Sequence, residues 1–361
     1  MPLTGGNFVP YRVIQWSTGN VGRYALRGIL NHPEMELVGL WVSSDAKAGK
    51  DAGELAGLAP VGVTATTDAE ALLALDADAV CYNATADVRL HEALADLAKI
   101  LASGKNVVSS SIVFLVEPKG ADIGFTEPLE RACKEGNVSF FTSGIDPGFA
   151  NDVLPLVLSG ICERIDSIRV QEVLNYATYD QPTVLFDTMG FAQPLDATPL
   201  LLNPGILSLA WGGTVRAIAD GLGVTLDSLE EFHERRPAPE TFEVPSGTVQ
   251  EGTTAAMRFE VRGMVGGEPR IVLEHVTRLR EDVAPDWDRP PGVGGYRVII
   301  KGSPDVTCEL TTAGDGGDEN SGGLIVTAMR LINAIPAVVA APPGLLGPLD
   351  VGIPTGRGLL S

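Results

Sequence analysis

The run Ser17-Thr18-Gly19-Asn20-Val21-Gly22 offers backbone amides as a surface for an anion. It follows an apolar stretch, Arg12–Trp16, that predicts a β-strand. It precedes Val21–Leu30, where Ala25, Leu26, Ile29 and Leu30 recur at helical spacing. A strand, a glycine turn and a helix in this order can hold a dinucleotide diphosphate, because the first N–H groups of a helix lack intrahelical partners and its dipole favours negative charge. In the GxGxxG pattern the second glycine admits the diphosphate to the backbone and the third lets helix and strand pack closely. Gly19 and Gly22 keep those two positions, while Ser17 takes the first, which only shapes the turn. The chemistry of such a site is hydride transfer with NAD or NADP. An ordinary strand-to-helix turn with two incidental glycines is the alternative, and the flanking elements favour the cofactor.

Further contacts to a dinucleotide belong beyond the C-terminal ends of the strands. A second strand, Leu37–Val42, runs into Ser43 and Ser44, with Asp45 behind them. An NAD site usually presents an acid here to the ribose 2′-hydroxyl. Serine hydroxyls, with charge from Lys47, Lys50 or Arg23, suit a 2′-phosphate and so favour NADP; Asp45 argues the other way. Asn83, Ala84 and Thr85 follow the strand Ala79–Tyr82, and Ser109, Ser110 and Ser111 end the strand that starts at Lys105. Asn151 follows the last strand of the series, Val138–Thr142. Asn83 and Thr85 serve equally well as helix caps.

Hydride transfer at a carbon–nitrogen centre also needs a group that manages a proton. Glu117, Asp146, Asp152, Glu172 and Asp180 are the candidate acids, and Tyr176 and Tyr179 the candidate donors. Glu117, Asp146 and Tyr176 are the expected catalytic residues, with interdomain packing the competing role for the tyrosines. None of His32, His91, His233 and His275 pairs with a serine or cysteine motif, although His275 lies in a strand and has the option of facing inward. Cys81, Cys133, Cys162 and Cys308 are too widely spaced for a zinc site, so no metal is expected, and reduced thiols fit a cytoplasmic protein.

The elements that position these residues change character along the chain. Residues 1–150 alternate apolar strands with helices (Asp68–Leu75, Val88–Ser103, Pro128–Glu135), the pattern of a parallel sheet covered on both faces. From Ile165 the strands alternate instead, and Thr254–Val265 and Pro269–Arg280 form a hairpin about Gly266-Gly267. The expected fold is α/β: a Rossmann-type parallel sheet over residues 1–150, an α+β substrate and dimerisation domain over 151–320, and a C-terminal helix and tail over 321–361. The segment Gly314–Gly323 reads as a solvated loop. A net charge of −20 opposes nucleic-acid binding. The apolar run after Gly323 is broken by Arg330, Asn333 and Pro336, which argues for a buried helix and against a membrane span. The first ten residues show no basic region followed by an apolar run, so no signal peptide is expected.

The stretches "VIQWSTGNVGRYALRGIL", "LVGLWVSSDAKAGKDAGELAG", "GKNVVSSS" and "TSGIDPGFANDVLPLVL" resemble the dihydrodipicolinate-reductase-like oxidoreductases, within them the 2,4-diaminopentanoate dehydrogenase and native amine dehydrogenase group. The similarity returns in "EHVTRLR" and in "TAMRLINAIPAVVAAPPGLL". It implies a homodimer whose C-terminal helix packs on the nucleotide domain. It also implies reductive amination of a small ketone by ammonia, or the reverse deamination. Two departures stand out. Val244–Thr248, "VPSGT", lacks the histidines and lysine that precede such a turn in the reductases, so it reads as a loop and the lysine-biosynthesis activity is rejected. The amine enzymes place a glutamate after the "GKNVV" strand, where this chain has Ile112 and Val113, with Glu117 the nearest carboxylate. Reduction of a carbonyl without ammonia, with Ser109–Ser111 or a tyrosine as proton donor, and a non-catalytic redox sensor are the competing readings.

Overall fold

A computed structural model describes residues 9–86, 89–120, 124–289 and 294–360. The helix start expected at Val88 lies outside them. The chain divides into two units, Met1–Gly144 with Leu324–Ser361, and Ile145–Gly323.

The first unit opens with β1 (Tyr11–Trp16), α1 (Asn20–Asn31), β2 (Met35–Trp41), α2 (Ala52–Leu55), β3 (Ala65–Thr66) and α3 (Ala69–Leu73). It continues with β4 (Ala79–Tyr82), α4 (Leu90–Ala102), β5 (Asn106–Ser109), α5 (Thr126–Gly136) and β6 (Ser139–Thr142). Every residue of β4, β5 and β6 is buried, as strands covered on both faces must be. α1 turns Ala25, Leu26 and Ile29 inward as their spacing predicts; Leu30, expected with them, is half-buried, and Tyr24 is buried instead.

The second unit holds α6 (Val153–Ser159), β7 (Arg164–Asn175), α7 (Ile206–Leu222), β8 (Ser228–Pro237), β9 (Phe242–Val244) and β10 (Gly247–Val249). Then come β11 (Thr254–Val265), β12 (Glu268–Arg278), β13 (Gly295–Ser303) and β14 (Val306–Leu310). Helix α8 (Glu319–Ala340) starts here, and most of it, with β15 (Gly344–Leu346), belongs to the first unit.

The first sheet has the order β15-β6-β5-β4-β1-β2-β3, with every pairing parallel. The chain winds outward from β1 in one direction and, from β4, in the other. Ligands of such sheets bind at this switch point, outside the carboxyl ends of β1 and β4. The second sheet has the order β14-β13-β7-β12-β11-β8 and is antiparallel except where β12 runs parallel to β7. Its core gathers Val170, Phe259, Val261, Leu273 and Val298, with Leu207, Val215 and Ile218 of α7 packed among them.

Several elements depart from the sequence reading. Helix α7 carries Gly212 and Gly213, which mask its periodicity; a Cβ at Gly212 would lie 2.7 Å from Leu229. β8 reads as a charged run because it is an edge strand, where charge blocks unwanted pairing. "VPSGT" is not a loop alone: Val244 ends β9 and Gly247 begins β10, making a tight hairpin. Glu319–Gly323 is the first turn of α8 rather than loop, and Asp318 initiates it by accepting a hydrogen bond from Ser321 N at 2.7 Å. α8 is long and apolar enough to cross a membrane, yet Ala328, Leu331, Ile332, Ile335 and Val338 are wholly buried in the first unit's core.

Candidate functional site

The first candidate site is the glycine turn. Ser17 takes a left-handed backbone, φ 81°. A residue with a Cβ adopts it at a cost of about 1–2 kcal/mol, which is why glycine usually stands there. Two bonds hold the conformation: Ser17 N donates to Trp41 O at 2.9 Å, and Gln15 Nε2 donates to Ser17 O at 2.8 Å. Gly22 is where a side chain is forbidden, because a Cβ would sit 2.4 Å from Ser17 O. Gly19 differs: a Cβ there would meet only Ser17 Oγ at 3.9 Å, so the space above the helix start is open. Gly19 brings no side chain to cap α1, and the first turn contains no acid. Unfilled N–H groups, open space and no opposing carboxylate fit a diphosphate.

Around the turn, Lys47 is half-buried and its Nζ donates to Thr18 Oγ1 at 3.0 Å and Thr18 O at 3.1 Å. Ser43, Ser44 and Asp45 are exposed beyond β2. Asn83 accepts from Gln15 Nε2 at 2.9 Å and donates through Nδ2 to Ser110 Oγ at 2.8 Å. Ala84 is buried and its carbonyl accepts from Ser111 Oγ, while Thr85 is exposed. Ser109 Oγ accepts from Ser111 N at 3.0 Å. The serines after β5 thus shape their own turn. Glu117 is buried, with Oε2 accepting from Gly120 N at 2.7 Å and Oε1 from Lys119 N at 3.3 Å, which anchors the short helical turn behind it. Of the two positions where the resemblance led an acid to be expected, Ile112 is buried with a left-handed φ of 59° and Val113 is exposed.

The second candidate site lies in the second unit and is built by strand register. Across β11, β12, β7 and β13, Phe259 pairs with His275, His275 with Glu172, and Glu172 with Tyr296. Asp146, from the segment before α6, completes the group. His275 Nε2 lies 3.0 Å from Asp146 Oδ2, and Nδ1 lies 3.4 Å from Glu172 Oε1. Trp211 of α7 donates from Nε1 to Asp146 Oδ1 at 2.7 Å, and Tyr176 OH donates to Glu172 Oε1 at 2.6 Å. Tyr296 also hydrogen-bonds Glu172. Phe259 stacks on the imidazole at 4.5 Å and Trp211 meets it edge-on at 4.9 Å. The side chains of His275, Asp146 and Glu172 are only 2–4% exposed.

Burial governs the charges here. It pushes the Glu172 carboxyl up to about 7, helped by Asp146 and opposed by His275 and the two tyrosines. Burial works against a charged His275, but Asp146 and Glu172 outweigh it and raise its pKa. The Tyr176 phenol is raised well above its ordinary value, first by burial and then by Glu172, so it acts as a hydrogen-bond donor. The three ligand-capable atoms of Asp146, Glu172 and His275 lie within 4.8 Å of one another, close enough for a metal. His275 turns one nitrogen toward each carboxylate at ion-pair distance, and Nε2 makes no hydrogen bond among the described residues.

Of the expected catalytic residues, Asp146 and Tyr176 therefore meet in one cluster, and Glu117 belongs to the other unit. Glu172 was a candidate by type, whereas the part played by His275 and Trp211 was missed. The signal for His275 was its parity on β12, readable only once the partner strands are known. Asn151 Oδ1 accepts from Gly148 N at 2.9 Å, holding the segment that carries Asp146. Asp152 caps α6, and Asp180 is exposed.

Known proteins resemble the chain along most of its length. The C-terminal domain model of 2,4-diaminopentanoate dehydrogenase matches residues 149–358. An amine dehydrogenase of Streptomyces virginiae is 45% identical over 342 residues, 94% of this chain and 95% of that one. A 2,4-diaminopentanoate dehydrogenase of Acetoanaerobium sticklandii is 26% identical over 269 residues, 72% of this chain and 70% of that one. The solved structure of an amine dehydrogenase from Mycobacterium smegmatis shares the fold, with a TM-score of 0.75 at 20% identity, covering 96% of this chain and 97% of that one. With a family model matching more than half its length and a relative this similar along almost all of it, the chain belongs to the family of 2,4-diaminopentanoate and amine dehydrogenases and is an oxidoreductase.

Proposed function

We propose that the protein is an NAD(P)-dependent amine dehydrogenase that interconverts a small amine and its ketone, with ammonia as the third reactant. The observation that carries this reading is the buried group in which Asp146 and Glu172 share the single imidazole of His275. A dinucleotide, when bound by the amides of residues 19–22, supplies or accepts the hydride. The chain's own residues do the rest. Asp146 and Glu172 stabilise the positive charge of an ammonium or iminium nitrogen. His275 and Glu172 hold the proton that the nitrogen gains or loses, and Tyr176 and Trp211 fix the two carboxylates in place. Exclusion of water from the cluster strengthens each of these interactions.

NADP is the favoured cofactor in this reading. Lys47 brings a cation to Thr18, and exposed Ser43 and Ser44 supply hydroxyls at the end of β2. A 2′-phosphate is recognised by such a set. Four unpaired cysteine thiols suit a cytoplasmic enzyme, and a homodimer belongs to the same proposal.

The test is NADPH oxidation with a panel of small aliphatic ketones, with and without ammonium. Ammonium-dependent turnover is the expected result. Turnover indifferent to ammonium would establish carbonyl reduction instead. In the same protein, Lys47→Ala is expected to weaken NADP binding by about tenfold, the loss of one charge-assisted contact, and to leave NAD binding within twofold by calorimetry.

A further inference from the structure

Gln15 is wholly buried at the end of β1, and its amide is used in an unusual way. Both of its hydrogen bonds are donated by Nε2, to Ser17 O and to Asn83 Oδ1. Asn83 passes the connection on to Ser110 Oγ. One chain of bonds therefore joins the ends of β1, β4 and β5. Its first link is the carbonyl of the one residue in the glycine turn that has a side chain and a left-handed φ.

Peptide planarity gives that link its meaning. The Ser17 carbonyl and the Thr18 N–H belong to one trans peptide and point in opposite directions. A donor on the Ser17 oxygen keeps that oxygen turned toward Gln15, and so keeps the Thr18 N–H turned away from it. If the peptide flipped, an oxygen would replace an N–H on the far side of the turn. A glycine at this position would hold the left-handed conformation without help. Ser17 does not, and Gln15 supplies what the missing glycine would have given.

We propose that Gln15 is a positioning residue for the dinucleotide: it locks the Ser17–Thr18 peptide in the anion-binding orientation and ties the turn to Asn83 and Ser110. The inference rests on the reading of the turn as a dinucleotide site. It needs no contact between Gln15 and the ligand.

The experiment measures binding of NADP and of NAD to the full-length protein by calorimetry, alongside melting of the unliganded protein. Gln15→Met keeps the length of the side chain and removes both donated bonds. It is expected to weaken both nucleotides about tenfold and to the same extent, and Ser17→Gly added to it is expected to restore most of the loss. A role confined to core packing would lower the melting temperature without rescue by glycine. Should Gln15→Met fold poorly, Asn83→Ala removes the anchor of the Gln15 amide together with the bond to Ser110 Oγ and leaves Gln15 in place, and rescue by Ser17→Gly separates the turn from any direct contact of Asn83. It is expected to weaken binding about threefold, again with rescue by Ser17→Gly. Wild-type affinity in a folded Gln15→Met protein, or a loss that Ser17→Gly does not restore, overturns the proposal. A wild-type protein that binds neither nucleotide overturns the parent reading, and this one with it.

Discussion

Replacing His275 by glutamine, or Asp146 by asparagine, is expected to lower amine turnover by about 10²–10⁴-fold while NADP affinity stays within twofold. The cluster holds two carboxylates and one imidazole in nearly complete burial, so removal of any member leaves the others with an uncompensated charge or an unfilled bond. Steady-state turnover and nucleotide titration on the same preparations separate this outcome from general damage. Equal losses in both would assign the cluster to folding rather than chemistry. The pH dependence follows from Glu172, whose pKa of about 7 belongs to the group it forms with His275. In the deaminating direction a base must be free to take a proton, so turnover rises as the pH passes 7. In the aminating direction the same group must hold one, so turnover falls over that range. Glu172→Gln is expected to flatten both limbs. Stability carries the same signature. A carboxyl whose folded pKa is raised from 4.5 to about 7 binds a proton in the folded state that the unfolded chain has released, so its contribution falls as the pH rises between those values.

Gly19→Val and Gly22→Val are expected to fail in opposite ways. At Gly19 a Cβ has room, and the backbone, φ −71° and ψ −162°, is one that any residue adopts. The valine side chain then occupies the volume where the diphosphate would sit. Nucleotide binding is expected to drop by 100-fold or more, an order-of-magnitude consequence of blocked backbone approach, with the apo melting temperature within about 2 °C. At Gly22 a Cβ would collide with the Ser17 carbonyl, so the helix must lift off the strand and the melting temperature is expected to fall by several degrees. Thermal melting with and without NADP reads both. Undiminished nucleotide binding by Gly19→Val would remove the glycine turn as the binding site.

The parallel half of the fold was legible because its strands are short, have apolar centres and are separated by helices with clean periodicity. Ala79–Tyr82 was read to the residue, and Arg12–Trp16 within one. The glycine turn was legible for a steric reason: Gly22 has no substitute there. What escaped was whatever depends on partners distant in sequence. Gly212 and Gly213 hid α7, which brings Trp211 to Asp146. The charged strand β8 was hidden by its position at a sheet edge. His275 lies in "EHVTRLR", a stretch noticed for its resemblance, but nothing local says that it stands beside Glu172. Ser17 looked like a defect in a pattern; only the hydrogen bond from Gln15 shows what compensates for it.

The one parallel pairing of the second sheet, β7 with β12, joins residues about a hundred positions apart, so the chain must close a large loop before that seam can form. Glu172 and His275 face each other across the seam. Nascent chains that have not yet incorporated β12 therefore lack half of this buried pair, and the pair arises only with a slow, nonlocal step of assembly.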